Sequence, residues 1–102
     1  MTVIYGWDRN KAKANLTKHG ISFTAVAKAL DDPYRLEELD LNEDYGKDRS
    51  LVLCCHHGMM VVLFVVTTEP EEGVCRIISA RRADRHESLF RNLIKDYRVF
   101  AA

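Results

Sequence analysis

The fold of this chain is decided by residues 51–68, LVLCCHHGMMVVLFVVTT. The stretch contains two runs rich in apolar and β-branched residues, 51–57 and 59–68, and Gly58 lies between them. Runs of this kind favour extended strands, and a glycine between them is typical of a tight turn. We therefore predict an antiparallel hairpin within a sheet. Its predicted core residues are Leu51, Leu53, Val61, Leu63 and Val65.

The segments on either side of the hairpin predict three helices and further strands. Asp8 and Ser22 are suited to cap the N-termini of two helices, and Gly20 is suited to end the first. The second helix ends before Pro33, because a residue that precedes proline avoids helical geometry. The predicted elements are a strand at 3–5, helices at 8–19 and 22–30, a partly alternating strand at 34–41, a loop at 42–48, a turn at 70–73, a strand at 74–79 and a C-terminal helix at 83–100. Their β-α-α-β-β-β-β-α order indicates an α+β fold, an antiparallel sheet with two N-terminal helices packed on it and a C-terminal helix.

The size and charge of the chain limit its possible classes. Its 102 residues support one small domain, 1–102, with 85–102 as a C-terminal helical extension. A net charge of zero, taken alone, argues against a nucleic-acid binder, since phosphate recognition usually needs excess cations. The charges are unevenly spread, however. Residues 76–98 carry seven Lys or Arg against three Asp or Glu, whereas residues 34–50 carry three against six, so a local basic patch remains available for phosphate.

The sequence carries no pattern of a membrane or secreted protein. It contains no apolar run of the ~18 residues that mark a spanning helix, and its N-terminus lacks a leader pattern. Its three cysteines are an odd number, and two are adjacent, which is not a disulfide framework. We therefore expect a cytoplasmic protein with reduced thiols and no membrane contact.

A first candidate site lies in NLTKHGISF at 15–23. Lys18 and His19 end the first predicted helix, directly before Gly20. Histidine titrates near neutral pH and is suited to act as a general base or acid. The alternative is a plain helix C-terminus, where cationic side chains complement the helix dipole. The residues alone leave both interpretations open.

A second candidate site is RIISARRA at 76–83. Alternation along a strand predicts that Ile77 and Ser79 share one face. Arg81 and Arg82 follow where the strand ends and a helix begins, and guanidinium groups there are suited to hold a phosphate through paired hydrogen bonds. The alternative is a solvated basic turn, in which these arginines pair with the two acidic residues that follow.

The run CCHH at 54–57 contains two residue types that commonly bind metal ions. Side chains of adjacent strand residues point to opposite faces, so these four cannot surround one Zn²⁺ tetrahedrally. We expect buried thiols and turn histidines instead, and no metal. His56, near the end of the hairpin, is a further acid–base candidate.

Several motifs together resemble the BrnT family of type II toxins over about residues 5–85. They are Trp7-Asp8, Lys11, the 15–23 motif, Asp32-Pro33 and the 76–83 motif, in this order. The resemblance implies a RelE-like fold and a ribonuclease that cleaves RNA without the ribosome. It also implies a BrnA-type antitoxin that binds the toxin and represses their shared operon, so that contact with DNA is only indirect. Within that complex the toxin would be a homodimer.

The resemblance also assigns roles to residues. We expect no metal and no cofactor. The implied catalytic residues are Lys18, His19, Arg49, Arg81 and Arg82. The implied RNA-binding residues are Lys11, Arg76, Ser79 and Arg85. The chain departs from the family in three places. Ser50 stands where the family commonly has Trp, and the second hairpin strand ends Val66-Thr67-Thr68-Glu69, where a His commonly precedes Thr-Glu. The tail from His86 onward is longer and more apolar.

These residues suggest metal-independent cleavage, in which the ribose 2′-OH attacks the adjacent phosphate and leaves a 2′,3′-cyclic phosphate and a free 5′-OH. His19 or Lys18 is the candidate base, and Arg81 and Arg82 would hold the phosphate. The acidic stretch at 37–48 is predicted to lie away from the RNA. One alternative function is a catalytically inactive RelE-like binding module that acts as antitoxin partner or operon co-repressor. Another is a metal-dependent hydrolase.

Overall fold

The computed structural model describes residues 3–40 and 49–101. Its eight elements follow the predicted order, while the predicted loop at 42–48 lies outside the described residues. The elements are β1 (Ile4–Trp7), α1 (Arg9–His19), α2 (Phe23–Ala29), β2 (Leu36–Asp40), β3 (Arg49–His56), β4 (Val61–Glu71), β5 (Val74–Arg82) and α3 (Arg85–Ala101).

The helix boundaries follow from the predicted caps. The Asp8 carboxylate accepts a hydrogen bond from the Asn10 amide, and the Ser22 hydroxyl accepts one from the Ala25 amide. Gly20 ends α1 with a left-handed φ of 70°, a conformation that costs glycine little. The predictions for both helices are therefore confirmed.

The five strands form one sheet in the order β1-β5-β4-β3-β2. Three neighbouring pairs are antiparallel as predicted, whereas β1 runs parallel to β5. The helices α1 and α2 cover one face, which we call the helix face. The other face, crossed by α3, we call the open face. The buried apolar residues on the helix side are Ile21, Phe23, Val26, Ala29, Leu30, Val52, Cys54, Leu63, Val65, Ile77 and Ala80.

The core of β3 differs from the prediction. Val52 and Cys54 are buried on the helix face, so the alternating Leu51 and Leu53 point to the open face. There they line a groove of about 450 Å³ beneath α3. Leu51 and Leu53 were predicted to lie in a single core because the sequence alone does not show that both faces of the sheet carry a helix.

A β-bulge at Ile78 corrects the predicted faces of β5. Ile77 pairs with Thr67 of β4, but Ser79 pairs with Val66, so Ile78 has no opposite residue. Because consecutive residues of β4 face opposite sides, Ile77 and Ser79 also face opposite sides. The strand then continues to Arg82, beyond the predicted end at residue 79.

The helix α3 exposes its apolar side and buries a charge. Leu89, Phe90, Leu93 and Tyr97 are 50–71% exposed, whereas Arg91 is 2% exposed. The predicted amphipathic helix is thus present, but its apolar stripe faces solvent. Within the described residues, no helix combines the length and hydrophobicity needed to cross a membrane.

Candidate active site

Asn15 joins the end of α1 to β5. It is 6% exposed, and its Oδ1 accepts a hydrogen bond from the Ala80 amide at 3.0 Å. Its Nδ2 donates to the carbonyl of Ile21 at 3.2 Å, just beyond the helix. The pairing of β1 with β5 ends at Trp7 and Ile77, whereas Asn15 contacts Ala80, three residues further along β5. The helix therefore advances from the end of β1 in the same general direction as β5.

This contact brings three candidate residues to one corner of the fold. Lys18 and His19 lie about one helical turn, ~5.4 Å, beyond Asn15. Arg82 lies two strand residues, ~6.6 Å, beyond Ala80. Arg82 pairs with Leu63, a buried residue of the helix face, so its side chain points to the same side as α1. We call Lys18, His19 and Arg82 the α1–β5 corner.

The side chains of the corner are available to a ligand. Lys18 and Arg82 are exposed, and His19 is partly buried. Arg85, the first residue of α3, is exposed three residues beyond Arg82. Lys11 is exposed one turn before Asn15. Cationic groups and an imidazole on one exposed surface are suited to a phosphodiester.

Arg81 points to the open face and is held by α3. Its Nη1 and Nη2 donate to the two carboxylate oxygens of Glu87 at 2.8 and 3.0 Å. The guanidinium also lies 4.3 Å from the ring centroid of Phe64. The hydrogen bond with Arg81 lowers the pKa of Glu87, and the same bond raises the pKa of Arg81. Arg81 therefore fastens the first turn of α3 to the sheet.

Asp84 completes the start of α3 rather than pairing with an arginine. Its carboxylate accepts the Glu87 amide at 2.8 Å, and the Glu87 carboxylate accepts the Asp84 amide at 2.7 Å. This reciprocal pair is a capping box. Of the two acidic partners considered for the arginines, the structure brings only Glu87 to Arg81.

Arg49 and Arg76 lie at the other end of the sheet. Both pair with Thr68 of β4, so they form a row across the open face with Thr68 between them. Six strand residues, roughly 20 Å, separate Arg76 from Arg82. Ser79 points to the open face between these ends. The structure therefore does not bring Arg49, Arg76 or Ser79 to the α1–β5 corner.

A buried cluster around Asp32 was missed by the sequence analysis. The Asp32 carboxylate accepts from the amides of Tyr34 and Cys55 at 3.0 and 2.9 Å. Arg91 of α3 donates through Nη2 at 2.5 Å and Nε at 3.2 Å. The Nε2 atom of His57 lies 3.6 Å from Oδ1. Burial alone would raise the pKa of Asp32, but hydrogen bonds from Arg91, Cys55 and Tyr34 hold it below the ordinary value.

Two signals for this cluster were present in the sequence. Asp32 served in the prediction only to end α2, although it also belongs to the family motif. Arg91 interrupts the apolar residues of α3, between Leu89 and Leu93. A charge inside an apolar helix stretch indicates a buried partner, but nothing in the sequence shows which one.

In the run at 54–57, Cys54 packs in the core and His56 stabilises the hairpin turn. Cys54 is buried on the helix face, where desolvation raises the pKa of its thiol to about 12, and Cys55 alternates to the other face. The Nδ1 atom of His56 accepts the Met59 amide at 3.0 Å and holds the hairpin turn. Across residues 3–40 and 49–101, no three His, Cys, Asp or Glu side chains are grouped as metal ligands.

Fold and site together define a small α+β protein with a cationic, histidine-containing corner beside a mostly antiparallel sheet. The sequence model of the family described as "Ribonuclease toxin, BrnT, of type II toxin-antitoxin system" matches residues 7–87. The chain belongs to this family of ribonuclease toxins. Membership implies an antitoxin protein as partner and RNA as target.

A solved structure agrees with the fold. The crystal structure of the Brucella abortus ribonuclease toxin BrnT, at 1.1 Å resolution, superposes with a TM-score of 0.60 at 21% sequence identity. The alignment covers 82% of this chain and all of the Brucella chain. No curated protein matches the sequence. Most of α3, from residue 88 onward, lies beyond the family match.

Proposed function

We propose that this chain is a ribosome-independent, metal-independent endoribonuclease with a RelE-like fold, which arrests growth in the cytoplasm until a BrnA-type antitoxin binds it. Family membership supports the ribonuclease class. The observation that supports the site is the Asn15–Ala80 hydrogen bond, because it fastens the last turn of α1, which carries Lys18 and His19, to β5 two residues before the exposed Arg82.

The proposed reaction is an internal attack by the ribose 2′-OH on the adjacent phosphate. His19, or Lys18 in its neutral form, removes the proton of the 2′-OH as the new P–O bond forms. The bond to the 5′-oxygen then breaks, and that oxygen takes up a proton from water, while the protonated base releases its proton to water, so no net proton is consumed. Arg82 neutralises the charge that develops on the non-bridging oxygens. The products are a 2′,3′-cyclic phosphate and a 5′-OH, with no metal and no cofactor consumed.

The other candidate residues are proposed to bind RNA away from the cleaved bond. Arg85 and Lys11 flank the corner and contact neighbouring phosphates. Arg49 and Arg76 add electrostatic attraction from the far end of the sheet, with Ser79 as a hydrogen-bond donor between. Arg81 was a candidate for holding the reacting phosphate, but Glu87 occupies its guanidinium. We therefore propose Arg82 as the main phosphate ligand.

Cleavage is expected to persist in EDTA. RNA incubated with the purified chain should give fragments ending in 2′,3′-cyclic phosphate at equal rates with and without the chelator, because side chains supply both the proton transfers and the cations. The measurement is gel electrophoresis of end-labelled RNA, with mass spectrometry of the ends. Loss of cleavage in EDTA, restored by a divalent ion, would favour the metal-dependent alternative.

We further propose that the chain forms a homodimer, and the exposed apolar stripe of α3 supports this proposal. An exposed apolar patch on a small protein that is larger than ordinary monomers carry commonly marks an interaction surface. Leu93→Glu, which places a charge at the centre of the stripe, is expected to convert dimer to monomer in light scattering over a range of concentrations. Leu16→Glu on α1 is the matched control, because Leu16 is 51% exposed but lies outside the stripe. A monomeric wild type, or equal dissociation of the control, would argue against this interface.

A catalytically inactive partner of the antitoxin is the second candidate function. The observation that favours it is the engagement of Arg81 by Glu87, which removes one cation from phosphate binding. Induction of the chain in a bacterial host separates the two. Growth arrest that is relieved by co-expressed antitoxin supports the toxin, whereas unimpaired growth and intact RNA support the inactive partner.

A further inference from the structure

Asn15 belongs to the 15–23 motif, yet no catalytic role is assigned to it. We propose that Asn15 is a positioning residue for RNA cleavage: it holds the last turn of α1 against β5 so that His19 and Arg82 meet the same phosphate. The inference rests on the function proposed above.

The first support is the unusual burial pattern of α1. Asn15 is 6% exposed, whereas the neighbouring Leu16 is 51% exposed. Packing alone would favour the opposite arrangement, because a buried amide must recover the hydrogen bonds that it loses with water. We therefore attribute the burial of Asn15 to the hydrogen bonds that its side chain makes, and not to hydrophobic packing.

The second support is what those bonds connect. The pairing of β1 with β5 ends at Trp7 and Ile77, so the Ala80 amide lies beyond the end of β1. The Oδ1 atom of Asn15 accepts this amide at 3.0 Å and takes the place of a strand neighbour. Two residues later β5 presents Arg82. The contact thus fixes the helix against the strand two residues before the candidate arginine.

The amide nitrogen of Asn15 fixes the other side of the corner. It donates to the carbonyl of Ile21 at 3.2 Å, so the chain that follows His19 and Gly20 is closed back onto α1. One side chain therefore links the helix, the turn after it and β5. Loss of the link would let His19 and Arg82 move apart, and misplacement of reacting groups by about 1 Å is enough to slow catalysis on the order of 100-fold.

Kinetic measurements separate positioning from plain stability. Asn15→Ala removes both hydrogen bonds, and Asn15→Asp keeps an acceptor for the Ala80 amide but loses the donor to Ile21. Ser22→Ala is the matched control, because it removes a cap hydrogen bond of α2 outside the corner. Well below all melting temperatures, we expect Asn15→Ala to lower kcat roughly 10- to 100-fold with KM nearly unchanged, and Asn15→Asp to lower it less. Ser22→Ala should leave kcat unchanged.

A second measurement does not depend on activity. A 2′-deoxy oligonucleotide lacks the attacking hydroxyl, so it binds without being cleaved. In wild type, the NMR signals of the His19 ring and the Arg82 Nε–H should shift together along one binding curve. In Asn15→Ala the His19 shift should shrink while the Arg82 shift remains. If Asn15→Ala is too unstable to study, Asn15→Asp takes its place.

The outcomes distinguish this inference from the proposed function. A wild type that binds the oligonucleotide with both signals but cuts no RNA refutes the proposed cleavage. In that case a His19 shift that shrinks in Asn15→Ala would still show that Asn15 holds His19 and Arg82 to one phosphate. An active wild type, with Asn15 variants that match Ser22→Ala in kcat and in the His19 shift, overturns the role of Asn15.

Discussion

Replacing Arg82 with alanine is expected to lower kcat/KM for RNA cleavage by about 10²- to 10³-fold. Its exposed side chain lies on the same side of the sheet as α1, two residues beyond the Ala80 amide that Asn15 binds. Removal of one donor that stabilises transition-state charge costs on that order in known enzymes. Stability should change little, because Arg82 is exposed. The measurement is initial rates on a short RNA, together with thermal melting.

Arg81→Ala is the matched control, because it removes the neighbouring arginine from the other face. It loses the paired hydrogen bonds with Glu87 and the contact with Phe64, so the start of α3 should loosen by about 1 kcal/mol. RNA cleavage should remain close to wild type. A collapse of activity in Arg81→Ala with full activity in Arg82→Ala would place the phosphate on the open face and refute the α1–β5 corner.

The sequence was informative wherever a local pattern determined the structure. The caps at Asp8 and Ser22, the left-handed Gly20 and the hairpin around Gly58 depend on neighbouring residues, and a single chain displays them. The bulge at Ile78 was not visible, because a run of apolar residues reads the same with or without one extra residue. That one residue separates the faces of Ile77 and Ser79.

The candidate site was predictable as residue types but not as a geometry. The motifs supplied Lys18, His19 and Arg82, yet only the strand register shows that Arg76 lies roughly 20 Å from Arg82. The sequence did not show which arginine pairs with Glu87, because Arg81 and Arg82 are followed by the same acidic residues. Contacts distant in the chain, above all Asp32 with Arg91, lie 59 residues apart and leave no periodic signal.

The largest effect on stability is expected at Asp32. Its side chain is fully buried, and that of Arg91 is 3% exposed. Asp32→Asn would leave the Arg91 guanidinium buried without its counter-charge, which costs about 3–5 kcal/mol in comparable pairs. The free energy of unfolding, measured in urea near neutral pH, should fall by that amount. Arg91→Met should also destabilise, while the double variant should lose less than the sum of the two.

The pH dependence gives the same pair a second test. The folded pKa of Asp32 is lowered by its hydrogen bonds, while an unfolded aspartate titrates near ~3.9. Between these values the unfolded chain binds a proton that the folded chain does not, so stability rises with pH in that window. The contribution is complete above the unfolded pKa and is lost as pH falls through the folded one. Wild type should therefore lose stability below about pH 4 more steeply than Asp32→Asn.

Controls for that comparison come from the groups around the carboxylate. His57→Gln removes the imidazole that lies 3.6 Å from Asp32 and should keep most of the acid-sensitive slope, because Arg91 and the two backbone amides remain. Identical slopes in wild type and Asp32→Asn would show that another carboxylate governs the acid transition.

Arg91 lies beyond the family match at 7–87, so its pairing with Asp32 also explains how α3, outside the shared domain, is held to that domain. Loss of the Asp32–Arg91 ion pair should release α3 before the sheet unfolds. Hydrogen exchange should then be faster in α3 than in the rest of the protein.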